Sequence, residues 1–298
     1  MHDPPLVTVG MPTCNRPELL KRSLGLIQAQ SYPHLEIIVS DNASSDPRVS
    51  QLVLEAAAQD PRITFYRQDT NIGPSANFVF VLTKARGSFF MWAADDDEWH
   101  PSFIERLLDS LLSDSASGLA FCDFDVRYPD GSICDLYGSF TQAYAEFLCV
   151  DGPSRISAYV LQAPERGKAN LIYGLFRREA LVVDEVVRYF HSKAWGADML
   201  FICDVLSRWS FSLVPDKLYT VGIPFSPPPP AAAVPPSSPA ENQHRRRCRL
   251  AISHLRYFAT YLLIMARAPG SDPGSTAKMM LRLLPVVVRW LREDFTIR

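Results

Sequence analysis

Thirty basic and 32 acidic residues in a chain of 298 leave a formal net charge of −2, which supplies no global electrostatic drive toward nucleic acid. A hydrophobic fraction of 47%, with 17 Phe, 11 Tyr and 5 Trp, excludes a disordered chain. It suffices to fill the core of one large domain, or of one domain and an appendage.

The six cysteines (Cys14, Cys122, Cys134, Cys149, Cys203, Cys248) include no CxxC pair. They read as thiols of a reducing compartment, not as a zinc site or a disulfide framework. The first residues lack the basic-then-apolar order of a signal peptide, and no stretch reaches the ~18 apolar residues of a spanning helix. The expected location is therefore cytoplasmic.

In chain order, residues 6–11 read as a first strand that ends at Pro12. Asn15, with Glu18 three residues on, has the spacing of a capping box for a helix carrying Leu20, Leu24 and Ile27. Residues 34–40 form a second strand, 49–58 a helix, 63–67 a third strand, 75–85 a helix and 88–93 a fourth strand. Residues 101–113 form an amphipathic helix and 118–124 another strand, and the Asp130-Gly131 pair predicts a hairpin turn. Residues 140–167 admit either helix or long loop. Strands are expected at 170–176 and 211–214, the latter running into Pro215, and helices at 179–189 and 198–209. Residues 224–239 hold eight of the 24 prolines and read as a polyproline-type linker or loop. Two helices, 241–267 and 275–294, follow. At the start of the first, His244 beside Arg245, Arg246 and Arg247 reads as a solvated basic cluster.

Strands alternating with helices across short loops imply an α/β fold with a mostly parallel sheet flanked by helices. Ligands of such sheets bind beyond the carboxyl ends of the strands. Polar clusters follow all four early strands: 12–16, 41–46, 69–73 and 95–98. They should meet on one edge.

The most telling stretch is the apolar run Phe89-Phe90-Met91-Trp92-Ala93-Ala94, which stops at Asp95-Asp96-Asp97-Glu98. Adjacent carboxylates repel, and a divalent cation with a phosphorylated ligand is the economical way to offset that cost. A solvated acidic loop is the plainer alternative, but such loops rarely interrupt so apolar a strand. On an extended turn Asp95 and Asp97 point the same way and converge on one ligand, with Asp96 facing elsewhere. Asp41 is placed either to accept a hydrogen bond from a base or ribose, or to cap the next helix. Thr13, Asn15 and Arg16 follow the first strand without G-x-G-x-x-G or G-K-[ST], which disfavours dinucleotide and P-loop readings. Asn71, Gly73 and Asn77 are placed to shape a nucleoside pocket, although Gly73 alone requires no more than a turn.

Pro12-Thr13-Cys14-Asn15-Arg16, Ser40-Asp41-Asn42-Ala43-Ser44-Ser45-Asp46, Asn71-Ile72-Gly73, Asn77 and Ala94-Asp95-Asp96-Asp97 together resemble glycosyltransferase family 2. The likeness is close over residues 5–125 and diffuse to about 220. It implies a GT-A (Rossmann-like) fold and an inverting transfer from a nucleoside-diphosphate sugar, UDP or dTDP being usual, to a hydroxyl of a glycan or glycolipid. The resemblance further implies a donor nucleotide held by Pro12, Thr13, Asn15, Arg16, Asp41, Asn71, Gly73, Asn77, Asp95 and Asp96. Asp41 would lie near the base, Asp95 near the ribose, and Asp97 with Asp95 on a Mg²⁺ or Mn²⁺. It also implies an acidic base at the start of a helix in the second half, which Trp195-Gly196-Ala197-Asp198 matches with Asp198. The family often has Glu-Asp where this chain has Ala-Asp, and a plain helix cap would account for Asp198 equally. A helix N-terminus would also depress its pKa.

On this reading, residues 1–223 form the GT-A domain, with a nucleotide-sugar half (1–125) and an acceptor half (126–223). Residues 224–240 link it to a helical C-terminal segment, 241–298. Two other readings share the architecture: a sugar nucleotidyltransferase, which needs a Gly-rich basic loop after the first strand, and a non-catalytic nucleotide- or glycan-binding module. The mixture of apolar residues, Trp and Arg over 281–292 fits either core packing or peripheral contact with the inner membrane face, near a lipid-linked acceptor.

Overall fold

The computed structural model describes residues 3–135, 138–145, 152–162, 167–191, 196–222 and 240–296, with the backbone alone for 240–253, 275 and 290–296. Four strands, β1 (Val7–Thr13), β2 (Leu35–Asp41), β3 (Ile63–Arg67) and β4 (Phe89–Trp92), pair in parallel in the order β3-β2-β1-β4. Helices α1 (Pro17–Gln28), α2 (Pro47–Gln59) and α3 (Pro74–Lys84) make the crossovers. Every residue of β2 and β4 is buried, as expected of parallel strands covered on both faces.

Beyond β4 the sheet becomes mixed. Its remaining strands are β5 (Glu98–Trp99), β6 (Ser117–Arg127), β7 (Ile133–Cys134), β8 (Leu175–Arg177) and β9 (Ser210–Gly222). β8 runs antiparallel between β4 and β6, β9 lies parallel to β6, and β5 and β7 close the ends as antiparallel additions. Helix α4 (Phe103–Ser113) packs on β6 and β9, burying Phe103, Leu107, Leu108 and Leu111. The expected hairpin is formed by β6 and β7, with the Tyr128 N–H donating to the Ser132 carbonyl at 2.9 Å.

Of the two readings of 140–167 the described residues include helix, whereas the expectations for 170–176 and for Pro215 are corrected. The 140–167 stretch contains α5 (Phe140–Ala145) and α6 (Gly152–Leu161). The 170–176 run is a 3₁₀ turn over Lys168–Tyr173 that leads into β8, because so short an apolar run carries no decisive period. The buried Lys168 ammonium anchors that turn, donating to the Tyr159 and Val160 carbonyls at 3.1 and 3.2 Å near the C-terminus of α6. β9 does not stop at Pro215. Its register jumps from Cys122↔Val214 to Asp123↔Lys217, so Pro215 sits in a bulge where a missing N–H costs no ladder bond.

Asn15 does not cap α1, whose N-terminus is opened by Pro17 with no side-chain cap. Its backbone is left-handed (φ 57°). Its Oδ1 accepts from the Ser45 N–H at 2.8 Å and the Asp46 N–H at 3.1 Å, tying the β1–α1 loop to the β2–α2 loop.

Helix α7 (Val183–His191), α8 (Ala197–Arg208) and the hairpin of α9 (Ala240–Arg267) and α10 (Pro273–Thr296) complete the chain. Tyr257, Tyr261, Met265, Met279 and Leu283 of the hairpin belong to the same continuous buried cluster as the sheet. The Pro-rich stretch, and the side chains of His244 and Arg245 to Arg247, lie outside the described residues.

Candidate active site

The loops after β1, β2 and β4 and the start of α3 meet at one sheet edge around a cleft of about 520 Å³. Pro12, Thr13, Arg16, Asn71, Asn77, Asp95 and Asp96 line it. Of the expected nucleotide-binding residues, Asn15, Asp41 and Gly73 do not. The Asp41 carboxylate is fully buried, accepting from the Ser44 N–H at 2.9 Å, the Ser44 hydroxyl and the Arg67 guanidinium at 2.5 Å. Its neighbour Asn42 faces the cleft instead, and is linked to Asn71 at 3.1 Å and to the Ile72 N–H at 2.9 Å. Gly73 takes φ 86° ahead of α3, and its carbonyl accepts from the Asn77 N–H at 3.1 Å. Asn77 bridges α3 to β2, donating to the Ser40 carbonyl at 2.9 Å and accepting from the Ser40 hydroxyl at 2.6 Å.

The acidic stretch differs from the expected alternation. Asp95 and Asp96 occupy a turn, not extended backbone, so consecutive carboxylates converge. The Arg16 guanidinium donates to Asp95 at 3.0 Å and to Asp96 at 3.1 Å. Thr13 adds a hydroxyl to Asp95 at 2.7 Å. Asp97 turns inward at the foot of β5, where the Tyr219 hydroxyl and the Gly222 N–H (2.9 Å) donate to it.

β9 approaches this loop so closely that a Cβ on Gly222 would lie 2.3 Å from the Asp96 carbonyl oxygen. From the other side the Ser23 hydroxyl lies 3.0 and 2.8 Å from the Asp95 and Asp97 carbonyls, and Arg22 donates to the Asp96 carbonyl at 2.9 Å. Burial raises the Asp95 pKa, opposed by the Thr13 bond and by Arg16. Burial also pushes Asp97 up to about 7, against the Tyr219 bond.

The donor set facing the cleft fits a divalent cation: of the expected pair Asp95 lines the cleft and Asp97 does not, while Asp96 stands beside Asp95. Asp95 and Asp96 offer hard oxygens around a point already shared by a positive group. Among the described residues no cluster of three or more His, Cys, Asp or Glu could hold a metal alone. Mg²⁺ and Mn²⁺ bind readily through one or two carboxylates, with substrate phosphate and water completing the shell. Asp97, enclosed by Tyr219 and Gly222, is not part of that donor set.

A second cavity of about 330 Å³ shares Pro74, Phe78 and Tyr173 with the first. Ile172, Phe190, Gly196 and Asp198 complete most of its wall. Asp198 lies in the first turn of α8, after Gly196 in the left-handed region (φ 71°). Its Oδ1 accepts from the Met199 N–H at 2.9 Å. The helix N-terminus was expected to depress its pKa, but burial raises it, outweighing the Met199 bond and the charge of Lys168. Trp195 lies outside the described residues.

Sequence reasoning missed Asn42, Phe78, Tyr173 and Phe190. Asn42 stood inside a recognised motif, whereas Tyr173 lay in the run misread as a strand. Nothing local in the sequence marks Phe78 or Phe190.

Residues 8–196 match Glycosyl transferase family 2. The chain belongs to that family. A relative in Campylobacter jejuni, the GalNAc(5)-diNAcBac-PP-undecaprenol beta-1,3-glucosyltransferase, is 36% identical over 116 residues, covering 39% of this chain and 36% of the relative. The abequosyltransferase of Salmonella typhimurium is 30% identical over 120 residues, covering 40% and 35%. The matches thus span little more than a third of these relatives' lengths. Among solved structures, S. aureus TarS residues 1–349 with UDP aligns over 94% of this chain and 72% of its own, with a TM-score of 0.58 at 14% identity. The mannosyltransferase PcManGT of Pyrobaculum calidifontis, with GDP-Man and Mn2+, aligns over 97% and 84%, with a TM-score of 0.53 at 17% identity. At such identities the structures show the fold, and it is the family's GT-A fold. Among the described residues no helix is long and apolar enough to cross a membrane.

Proposed function

We propose that this family 2 member is an inverting glycosyltransferase. It would take a sugar from a nucleoside diphosphate, UDP or dTDP, bound in the acid-lined cleft, and attach it to a hydroxyl of a glycan or lipid-linked glycan seated in the aromatic cavity. The observation that carries this reading is the shared wall. A cleft with two charge-bearing carboxylates and several amides adjoins a cavity with aromatic walls and one desolvated carboxylate, and Tyr173 and Phe78 border both. Aromatic faces suit the apolar face of a pyranose, and Asp198 is the carboxylate placed to meet its hydroxyl.

In the proposed reaction Asp198 takes the proton of the acceptor hydroxyl as that oxygen bonds to the anomeric carbon. The bond from that carbon to the diphosphate oxygen breaks, and its electron pair leaves with the diphosphate. A single displacement of this kind inverts the anomeric centre. Asp95 and Asp96 would hold Mg²⁺ or Mn²⁺, which when bound offsets negative charge on the departing diphosphate. Thr13, Asn42, Asn71 and Asn77 present the polar groups that orient the nucleoside. Burial of Asp198 raises its pKa and so brings the base closer to the pH at which it must work.

The relatives support the substrate classes: one is named for transfer to a polyprenyl-diphosphate glycan, and one neighbour is described with UDP-GlcNAc. The test is a thermal-shift panel of nucleoside diphosphates and their sugars, with and without Mn²⁺, followed by transfer assays to undecaprenyl-diphosphate glycans. A melting temperature raised by one nucleotide class only when metal is present, with turnover of its sugar conjugate, is expected. Nucleotide binding without transfer to any acceptor hydroxyl would overturn the enzyme reading in favour of a binding module.

A further inference from the structure

Six of the eleven large hydrophobic side chains exposed among the described residues lie on the α9–α10 hairpin; the other five are scattered over separate elements. On α9, Leu255, Ala259, Leu263 and Ala266 are exposed at helical spacing. This stripe faces away from Tyr257, Tyr261 and Met265, which enter the core. On α10, Met280, Leu281, Leu284 and Val288 make a second stripe, with Leu281 72% and Leu284 58% exposed, while Met279 and Leu283 face inward. The apolar arc of each helix is therefore wider than the protein covers. Ordinary surface helices place polar residues there.

Charge among the described side chains of the two helices is one-sided. Arg256 and Arg267 border the stripe of α9, and Lys278, Arg282 and Arg289 border that of α10, all exposed. Among the described side chains of the two helices there is no carboxylate. The turn between them carries Asp272, whose Oδ1 accepts from the Gly274 N–H at 2.7 Å at the start of α10. Among the described side chains of the two helices, five exposed cations thus stand without an acid, in a chain whose net charge is −2.

We propose that the outward face of this hairpin docks on an anionic lipid bilayer, lying in the interface with its apolar stripes in the acyl boundary and its cations among the headgroups. An apolar stripe bordered by cations matches that layered environment. Neither helix is apolar enough, among the described residues, to span the bilayer. A second copy of the chain is a poorer occupant, since the same face would bring no carboxylate from the described helices to meet the cations. Two narrow stripes also fall short of the roughly 20–30 residues a side of a stable protein interface.

The full chain is tested by co-sedimentation with phosphatidylcholine vesicles and with vesicles of phosphatidylcholine mixed with phosphatidylglycerol. Binding is expected only to the mixed vesicles and should weaken as salt rises. Arg282→Gln or Lys278→Gln should each lower the partition coefficient about fivefold, and the pair Leu281→Asn with Leu284→Asn about tenfold or more. Leu54→Asn, which alters an exposed leucine of α2, should leave it unchanged. Circular dichroism melts check that each variant folds. If the double leucine variant does not fold, the two single charge variants decide the matter. Equal binding to both vesicle types, binding to neither, or charge variants no weaker than Leu54→Asn would overturn the proposal. So would a concentration-dependent dimer of the native chain that Leu281→Asn dissociates.

Discussion

The two adjoining cavities share a wall but sit in opposite electrostatic settings. In the larger cleft the acidic groups already have partners: Thr13 and Arg16 hold Asp95, and Arg16 holds Asp96. Asp198 in the smaller cavity has the Met199 N–H and mostly apolar neighbours. Polar groups fixed at strand ends can receive a charged ligand with little reorganisation. A carboxylate desolvated among aromatic rings holds a proton more readily, which suits a group that must accept one. On the proposed reading, the first setting grips the leaving group and the second drives the attack.

The largest effect should come from breaking the second setting alone. Asp198→Asn is expected to lower kcat by roughly 10²–10⁴ and to leave the nucleotide Kd within about twofold, as measured by calorimetric titration. A parallel loss of nucleotide affinity would show that the two cavities do not divide the work.

The same residue sets a pH dependence. Because burial raises its pKa, Asp198 is still protonated at pH values where an exposed aspartate is ionised. Activity should therefore rise with pH through an acid limb lying above the ordinary carboxylate value of ~4. A kcat profile with its limb at that ordinary value would mean that another group is the base.

The donor side is tested by separating neighbouring carboxylates. Asp96→Asn should raise the metal concentration for half-maximal nucleotide binding about tenfold or more. Tyr219→Phe withdraws a donor from buried Asp97 and should lower stability by about 1–3 kcal/mol with the metal response unchanged. If Tyr219→Phe instead reproduced the Asp96 phenotype, Asp97 would belong to the metal site after all.

The contrast also explains what could be read from the sequence. The meeting of Thr13, Arg16 and the Asp95-Asp96 stretch was legible because each follows a buried parallel strand, and strand ends of such a sheet share an edge; that Asp96, not Asp97, would stand beside Asp95 was not. The inward turn of Asp97 was not legible. It depends on Tyr219 and Gly222, more than a hundred residues away, and on β9 continuing past a proline that the sequence presents as a stop. Asn15 has the spacing of a capping box, but tertiary contact with Ser45 and Asp46 overrides it. The walls around Asp198 come from the 3₁₀ turn, α3, α7 and α8, and no local pattern links them. Gly196 illustrates this best. In sequence it is an unremarkable residue before a helix.

Gly196→Ala should destabilise the fold by about 1–3 kcal/mol. Its φ of 71° disfavours a side chain, and the added Cβ would lie 2.5 Å from Tyr257 Cε2 and 3.0 Å from Met199 Cε. Since Tyr257 comes from α9 and Met199 follows Asp198, the clash would also displace the candidate base. The melting temperature should fall together with kcat, with nucleotide affinity retained. A melting temperature and kcat both matching the native protein would mean that α9 yields easily and that the hairpin does not hold the Asp198 turn in place.

The smallest effect separates a satisfied charge from a functional one. Asp60 caps the C-terminus of α2 and lines neither cavity. It accepts from Arg62 Nε at 2.9 Å, Arg62 Nη2 at 2.8 Å and the Arg62 N–H at 3.1 Å. These bonds, led by the Arg62 side chain, hold its pKa down to about 2. A pKa lower in the folded than in the unfolded chain contributes stability above the unfolded value of ~4, and that contribution fades as pH falls through about 2. Asp60→Asn should thus cost about 1 kcal/mol at pH 7, once solvent screening is allowed for, and progressively less toward pH 2. Urea denaturation at neutral and acidic pH measures the difference, and nucleotide binding should not change. Asp60 is as firmly held by arginine as Asp95, so the grip of a cation does not by itself mark a functional carboxylate. What distinguishes Asp95 and Asp96 is that theirs is formed at the open edge of the sheet.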